Sequence, residues 1–181
     1  MDSCDGRDAR AGRHDAGAAP TLRRLTADDS VPEITALLHR AYADHAAAGR
    51  VFFASYQSDR DTRYRLDRGE SWVAVEDGRI VGTVTLTGNH HSPPGYPVPH
   101  GHGSLWQLAV EPDRRGTGLG DRLLAHAERR IAALGASRVV FDTSSLATEL
   151  IAWYERRGYR PAGTYDRSVT NYRSVVLAKA L

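Results

Sequence analysis

Leu108-Ala109-Val110-Glu111-Pro112-Asp113-Arg114-Arg115-Gly116-Thr117-Gly118-Leu119-Gly120-Asp121 is the stretch that decides the fold of this chain. The apolar run Ser104 to Val110 enters a turn with three alternating glycines. The turn opens onto Leu119, Leu123, Leu124, Ala127, Ile131 and Leu134, spaced as the buried stripe of a helix that stops at Gly135. Strand, glycine turn and helix in this order gather unpaired amide hydrogens at the positive end of a helix dipole. Glycine also lets a ligand approach the backbone without meeting a Cβ, so the segment reads as a cradle for a phosphate or pyrophosphate. A P-loop would end in Gly-Lys-Ser/Thr, and Leu119-Gly120-Asp121 does not, which sets an NTPase aside. A dinucleotide fingerprint would need a glycine where Asp121 stands, although Asp142, at the end of the next strand, lies near the place of a ribose-binding acid. A dinucleotide-binding oxidoreductase stays open as an alternative.

Working outward, Val139 to Phe141 reads as a second buried strand, followed through Thr143, Ser144 and Ser145 by a helix from about Leu146 to Arg157 with Gly158 after its end. Tyr172 to Ala178 reads as the last strand. On the N-terminal side, Ser71 to Val75 and Ile80 to Leu86 are β-rich runs joined by Glu76-Asp77-Gly78-Arg79, where Asp77-Gly78 suits a type I′ turn. Thr87 to Gly103 holds several prolines and glycines and reads as a long loop. Thr21 to Leu25 is a short strand, and Ile34, Leu37, Leu38, Ala41 and Tyr42 recur at helical spacing behind Pro32. Val51 to Arg68 is expected to form a second helix. Hairpin-linked strands followed by a strand-helix-strand-helix unit make a mixed α/β domain with helices on both faces of a central sheet.

With 181 residues, 41 % apolar and 25 % charged, the chain has the composition of one globular domain. Residues 1–20 have almost nothing to bury and read as a disordered tail, leaving 21–181 as the domain. The formal charge is +2 with scattered arginines, so no nucleic-acid partner is expected. No apolar run approaches a membrane span or a signal peptide, and Cys4 is the one cysteine, so a cytoplasmic protein without a disulfide framework is expected. His90-His91 and His100-x-His102 lack a carboxylate or cysteine at ligand spacing, and no metal is expected.

Arg115-Gly116-Thr117-Gly118-Leu119-Gly120 resembles the coenzyme motif Gln/Arg-x-x-Gly-x-Gly/Ala of the GNAT N-acetyltransferase superfamily. Trp153-Tyr154-Glu155-Arg156-Arg157-Gly158-Tyr159 is similar to that family's Tyr-x-x-x-Gly-Phe segment. The resemblance extends from about Thr21 to the C-terminus. It implies an acetyl-CoA-dependent enzyme that acetylates a primary amine of a small molecule or peptide by direct attack in a ternary complex, with a homodimer unsurprising. A coenzyme-A-binding sensor or scaffold without turnover is the alternative within the same resemblance.

The resemblance further implies that a bulge splays the strand Ser104 to Val110 from Val139 to Phe141. The pantetheine arm would enter that gap along Leu108, Ala109 and Val110, while the turn Arg115, Gly116, Thr117, Gly118, Leu119, Gly120 and Asp121 holds the pyrophosphate. The Leu108 amide would bind the oxyanion, and Tyr154 would protonate the departing thiolate as well as contacting the coenzyme. Two departures stand out. Ser104 occupies the place of a glutamate base found in many members, and Ala147 stands where the family often has asparagine. Strand alternation would put His102, Ser104, Trp106 and Leu108 on one face, which makes His102 the candidate general base, ahead of Glu111. Phe52, Phe53, Tyr56 and Trp106 are candidates for lining an acceptor pocket.

Overall fold

A computed structural model describes residues 19–98 and 100–181. The tail expected over residues 1–20 lies outside the described residues except for Ala19 and Pro20. Seven strands form one mixed sheet: β1 (Thr21–Arg24), β2 (Glu70–Glu76), β3 (Arg79–His90), β4 (His102–Val110), β5 (Arg138–Ser144), β6 (Arg160–Asp166) and β7 (Arg173–Ala180). Their spatial order is β1-β2-β3-β4-β5-β7-β6, antiparallel throughout except for the parallel pair β4–β5.

Helices cover both faces, as the apolar pattern requires. On one face α1 (Val31–Ala47) buries Ile34, Leu37 and Leu38 against Val73, Ile80 and Ala109. Ser30 caps this helix by accepting from the Glu33 amide, and Pro32 sits in its first turn, where its missing N–H costs nothing. On the other face α3 (Leu119–Ala133) sinks Leu123, Leu124, Ala127 and Ile131 into the cluster that includes Leu86, Leu105, Val139 and Leu177, and α4 (Thr148–Glu155) adds Tyr154. Among the described residues no helix is long and apolar enough to cross a membrane.

The hairpin between β2 and β3 turns through Asp77 (φ 49°) and Gly78 (φ 76°), the two positive φ values of a type I′ turn. Three expectations need correction. The segment 51–68 is not one helix: a 3-10 turn at Phe53–Ser55 precedes α2 (Asp59–Leu66), which begins afresh at the capping box of Ser58 and Asp61. The proline-rich loop is shorter than Thr87 to Gly103, because β3 runs on to His90, which pairs with His102. β6 is an additional strand, hidden in the sequence by Pro161 and Gly163; the two lie at a register shift on the sheet edge, where a proline is tolerated.

β4 and β5 are joined through Gly103 and Val139 alone among the described residues. Gly103 is required there for lack of space, since a Cβ would stand 2.0 Å from Ile131 Cγ2 and 3.2 Å from the Thr87 carbonyl oxygen. Gly103→Ala is expected to destabilise the fold by about 1–3 kcal/mol through overpacking, read as a lower urea midpoint with an unchanged denaturant slope.

Candidate active site at the splayed strands

The register of β3 and β4 slips twice, between Thr83 and Thr85 and between Thr87 and His90, and the first slip lies at this site. Thr83 pairs with Ala109 and Thr85 with Trp106, so Val84 alone faces both Gln107 and Leu108. Gln107 takes a left-handed φ of 52°, the signature of a bulge that bends the strand and breaks its pairing. Beyond Gly103, β4 therefore leaves β5 and a wedge-shaped gap opens toward Val110.

The bulge also reverses the alternation of side chains. Trp106 donates from Nε1 to the Arg65 carbonyl of α2 (3.0 Å), and the Gln107 side chain lies on the same side, where its Oε1 accepts from Thr85 Oγ1 (3.3 Å). Leu108 then joins the α3 cluster, and Ala109 the α1 cluster. The expectation that Leu108 shares a face with His102, Ser104 and Trp106 is thus corrected, because two successive residues of a bulge share a face. The Leu108 carbonyl accepts a hydrogen bond from the Tyr42 hydroxyl of α1 (3.1 Å), which pins the bulge from the helix side.

At the open end of the gap lies the glycine turn. Gly116 (φ 76°) and Gly118 (φ 83°) both adopt left-handed backbone with open space where a Cβ would point. Gly118 is the N-cap of α3 and supplies no side-chain cap. Among the described residues the amides of Gly116, Thr117, Gly118, Leu119, Gly120 and Asp121 donate to no protein acceptor, whereas those of Arg114, Arg115 and Arg122 are all bound. Six adjacent free N–H groups at a helix N-terminus are the donor arrangement that an anion cradle requires. Arg115 is not brought into it: the guanidinium grips Asp44 and the Ala41 carbonyl (2.8 Å) at the end of α1, and its amide is bound to Pro112. The Asp121 carboxylate is ion-paired to Arg157, whose guanidinium lies 3.8 Å over the Trp153 ring. That pairing neutralises a charge that would otherwise repel an anion.

Tyr154 is buried against Phe141, Trp153 and Tyr159, with ring centroids 4.7, 4.8 and 5.6 Å away. Burial pushes its pKa well above the usual tyrosine range, with the neighbouring Tyr42 acting in the same direction, so the phenol stays protonated at physiological pH. Its hydroxyl has no hydrogen-bond partner among the described residues. The helix that carries Tyr154 starts at Ala147 without a side-chain cap, and Ser144 Oγ instead accepts from the Leu146 amide.

His102 and Leu108 are not brought together. They stand six positions apart along the strand, a rise of about 20 Å, and His102 lies at the closed end of the gap beside His90 (5.5 Å between rings). Burial, aided by the charges of His90, Arg138 and His100, lowers its pKa to about 4. Glu111 is also committed: it is buried and held by both Arg40 Nε (3.1 Å) and Arg40 Nη2. Asp142, the candidate ribose acid, is bound by Arg167 through Nε (2.8 Å) and Nη2, which leaves it poorly placed to receive a nucleoside hydroxyl. Phe52 and Phe53 lie on the α1–α2 side, where the Phe52 ring makes tilted contacts with Tyr42 (5.2 Å) and Tyr172 (5.0 Å).

Tyr42, Arg65 and Gln107 went unnoticed in the sequence. Tyr42 sits in the apolar stripe of a helix, Gln107 inside an apolar strand and Arg65 among the charges of Asp59-Arg60-Asp61-Thr62-Arg63-Tyr64-Arg65-Leu66. No spacing distinguishes them.

Comparison with known proteins follows the same geometry. The sequence profile of the Acetyltransferase (GNAT) family matches residues 33–159. The chain is 34 % identical over 147 residues to the S-(2-succino)cysteine N-acetyltransferase of Bacillus subtilis, covering 79 % of this chain and 86 % of that one. It is 37 % identical over 117 residues to an amino-acid acetyltransferase of Ralstonia nicotianae, covering 60 % of this chain but spanning only 23 % of that longer protein. A GNAT family acetyltransferase from Elizabethkingia anophelis, solved with acetyl-CoA bound, superposes with a TM-score of 0.64 at 17 % identity, over 90 % of this chain and 99 % of the other.

One buried and three half-buried histidines shape the acid limb of stability. His102, His45, His90 and His126 all have lowered pKa values, with burial the leading cause in each. The unfolded chain therefore takes up protons first. Stability is complete above the unfolded histidine pKa of about 6.5 and is lost as pH falls toward about 4. Urea midpoints measured from pH 8 to 4 should be flat above 7 and fall below 6.5, with a shallower fall in His102→Gln.

Proposed function

Because the chain belongs to the GNAT acetyltransferase family, we propose that it transfers an acetyl group from acetyl-CoA to a primary amine of a small molecule or peptide, by direct attack in a ternary complex. The observation that carries this reading is the row of six unpaired amides from Gly116 to Asp121 at the mouth of a gap between β4 and β5.

In this reading the cradle binds the coenzyme's pyrophosphate, and its pantetheine arm enters the gap as a short extra strand along Leu108, Ala109 and Val110. The thioester carbonyl then lies beside the bulge, where the Leu108 amide receives the oxyanion as the amine attacks; a preorganised donor of this kind is worth about 3 kcal/mol. Tyr154, held neutral by its surroundings, donates to the departing sulfur, and its proton transfers as the carbon–sulfur bond breaks. Desolvation favours the neutral form of the incoming amine, whose ammonium proton passes to bulk water before attack; the second nitrogen proton, lost as the tetrahedral intermediate collapses, restores the Tyr154 phenol, so the reading names no side-chain base beside Leu108. His102 is given no part in it.

Calorimetric titration with acetyl-CoA tests the cradle. The wild type should bind, and Gly118→Asp, which sets a carboxylate in front of the amides, should lose at least about tenfold in affinity. No binding by the wild type would withdraw the reading. Tyr154→Phe should keep coenzyme affinity within about threefold while kcat for thiol release falls roughly 100-fold; unchanged turnover would remove Tyr154 from the acid role.

A further inference from the structure

Arg65 differs from the other arginines on this fold. It stands in the last turn of α2 with its guanidinium carbon 5.4 Å above the Phe53 ring, and Nη1 makes one long hydrogen bond to Gln57 Oε1 (3.3 Å). None of the ion pairs formed among the described residues includes it. Asp142 is already held by two nitrogens of Arg167, and Asp61 is engaged in the cap of α2. Burial lowers the Arg65 pKa, whereas the Arg23, Arg40, Arg114, Arg130, Arg167 and Arg173 values are raised by their carboxylate partners. A cation taken from water without a counter-charge is costly unless something supplies one.

The position of this cation is informative. The Arg65 carbonyl receives Trp106 Nε1, so the end of α2 is tied to β4 immediately before the bulge. Burial raises the Tyr42 pKa and the positive charge of Arg65 opposes that rise, while the Tyr42 hydroxyl donates to the Leu108 carbonyl. Gln107, the bulge residue, is buried on the same side and its Nε2 has no acceptor among the described residues. A second donor is thus available on the α2-facing side of β4, opposite α3.

We propose that the acceptor amine carries a carboxylate, and that the Arg65 guanidinium binds this carboxylate on the α2 side of the β4 bulge. The inference rests on the acetyltransferase reading given above. A guanidinium presents five N–H donors in a planar fork, and one of them is occupied here, so a bidentate carboxylate contact is available. One charge without an ion-pair partner among the described residues calls for a monoanion. Arg167 adds no second free charge, because Asp142 neutralises it. The acceptor class is therefore a small amino acid rather than a polyamine, whose several cations Arg65 would repel.

The test compares matched pairs, for example leucine with 3-methylbutylamine and phenylalanine with phenethylamine, in thiol-release kinetics with acetyl-CoA. At least one acid should exceed its neutral counterpart by about tenfold or more in kcat/KM. Arg65→Gln should bring that ratio toward one, chiefly through KM, and Arg65→Lys should restore part of it. Calorimetric titration of the same acids into the CoA-saturated protein reads binding without turnover. Neutral amines that equal or exceed their acids, an Arg65→Gln enzyme that keeps the ratio, or no acid bound by the wild type would each overturn the proposal. Acetyl-CoA titration of wild type and variant separates the two levels: equal coenzyme binding with a ratio near one overturns the carboxylate assignment alone, and a wild type that binds no acetyl-CoA overturns both.

Discussion

One extra residue in β4 governs how this molecule is built. At Gln107 the backbone turns to a positive φ that costs a side-chain-bearing residue about 1 kcal/mol, and the surroundings hold it there. Thr85 bonds the Gln107 side chain and Tyr42 the Leu108 carbonyl, while Trp106 fastens the preceding residue to α2. The strand can no longer follow β5, so the gap, the reversal of side-chain faces at Leu108 and the approach of α1 and α2 to that point all follow from the same insertion.

The two sides of the bulge are chemically unlike. Toward α3 the residues are apolar, with Leu105 and Leu108 joining Leu123, Ile131 and Phe141. Toward α1 and α2 runs a buried polar seam in which Thr35 donates to Thr62 (2.8 Å), Gln57 donates to Thr62 (2.6 Å), and Ser71 both donates to the Leu66 carbonyl (2.9 Å) and bonds Thr85 (2.9 Å). Buried hydroxyls and amides have narrow geometric tolerance, so this seam fixes α2 more tightly than apolar contacts would. Arg65 owes its position to that rigidity.

What could be read beforehand follows from the range over which each signal acts. The Asp77-Gly78 turn, the stripe of α3 and the glycines that open it are local patterns whose physics is complete within a few residues, and they appear in the structure as read. The bulge is different. Nothing in Ser104-Leu105-Trp106-Gln107-Leu108-Ala109-Val110 reveals which residue will be doubled, because the register is set by β3 and α1 far away in sequence, and uninterrupted alternation put Leu108 on the wrong face. β6 was lost because Pro161 and Gly163 imitate a loop unless the edge position is known. Arg115 illustrates a further boundary: its place in a motif is local, but its guanidinium answers to Asp44 and the end of α1.

The single bridge at Gly103 and Val139 gives the sheet more exposed edges than its strand count implies. An open sheet normally has two, and each invites pairing with a strand of another chain. Here the outer edges are blunted, β1 by being four residues long and bearing Arg23 and Arg24, and β6 by Pro161 and its register shift. The inner edges of β4 and β5 need no such protection, because they face each other across a wedge closed at one end. Between the inner edges shape takes the part that the arginines of β1 and the proline of β6 take on the outer ones, keeping unpaired backbone away from other chains.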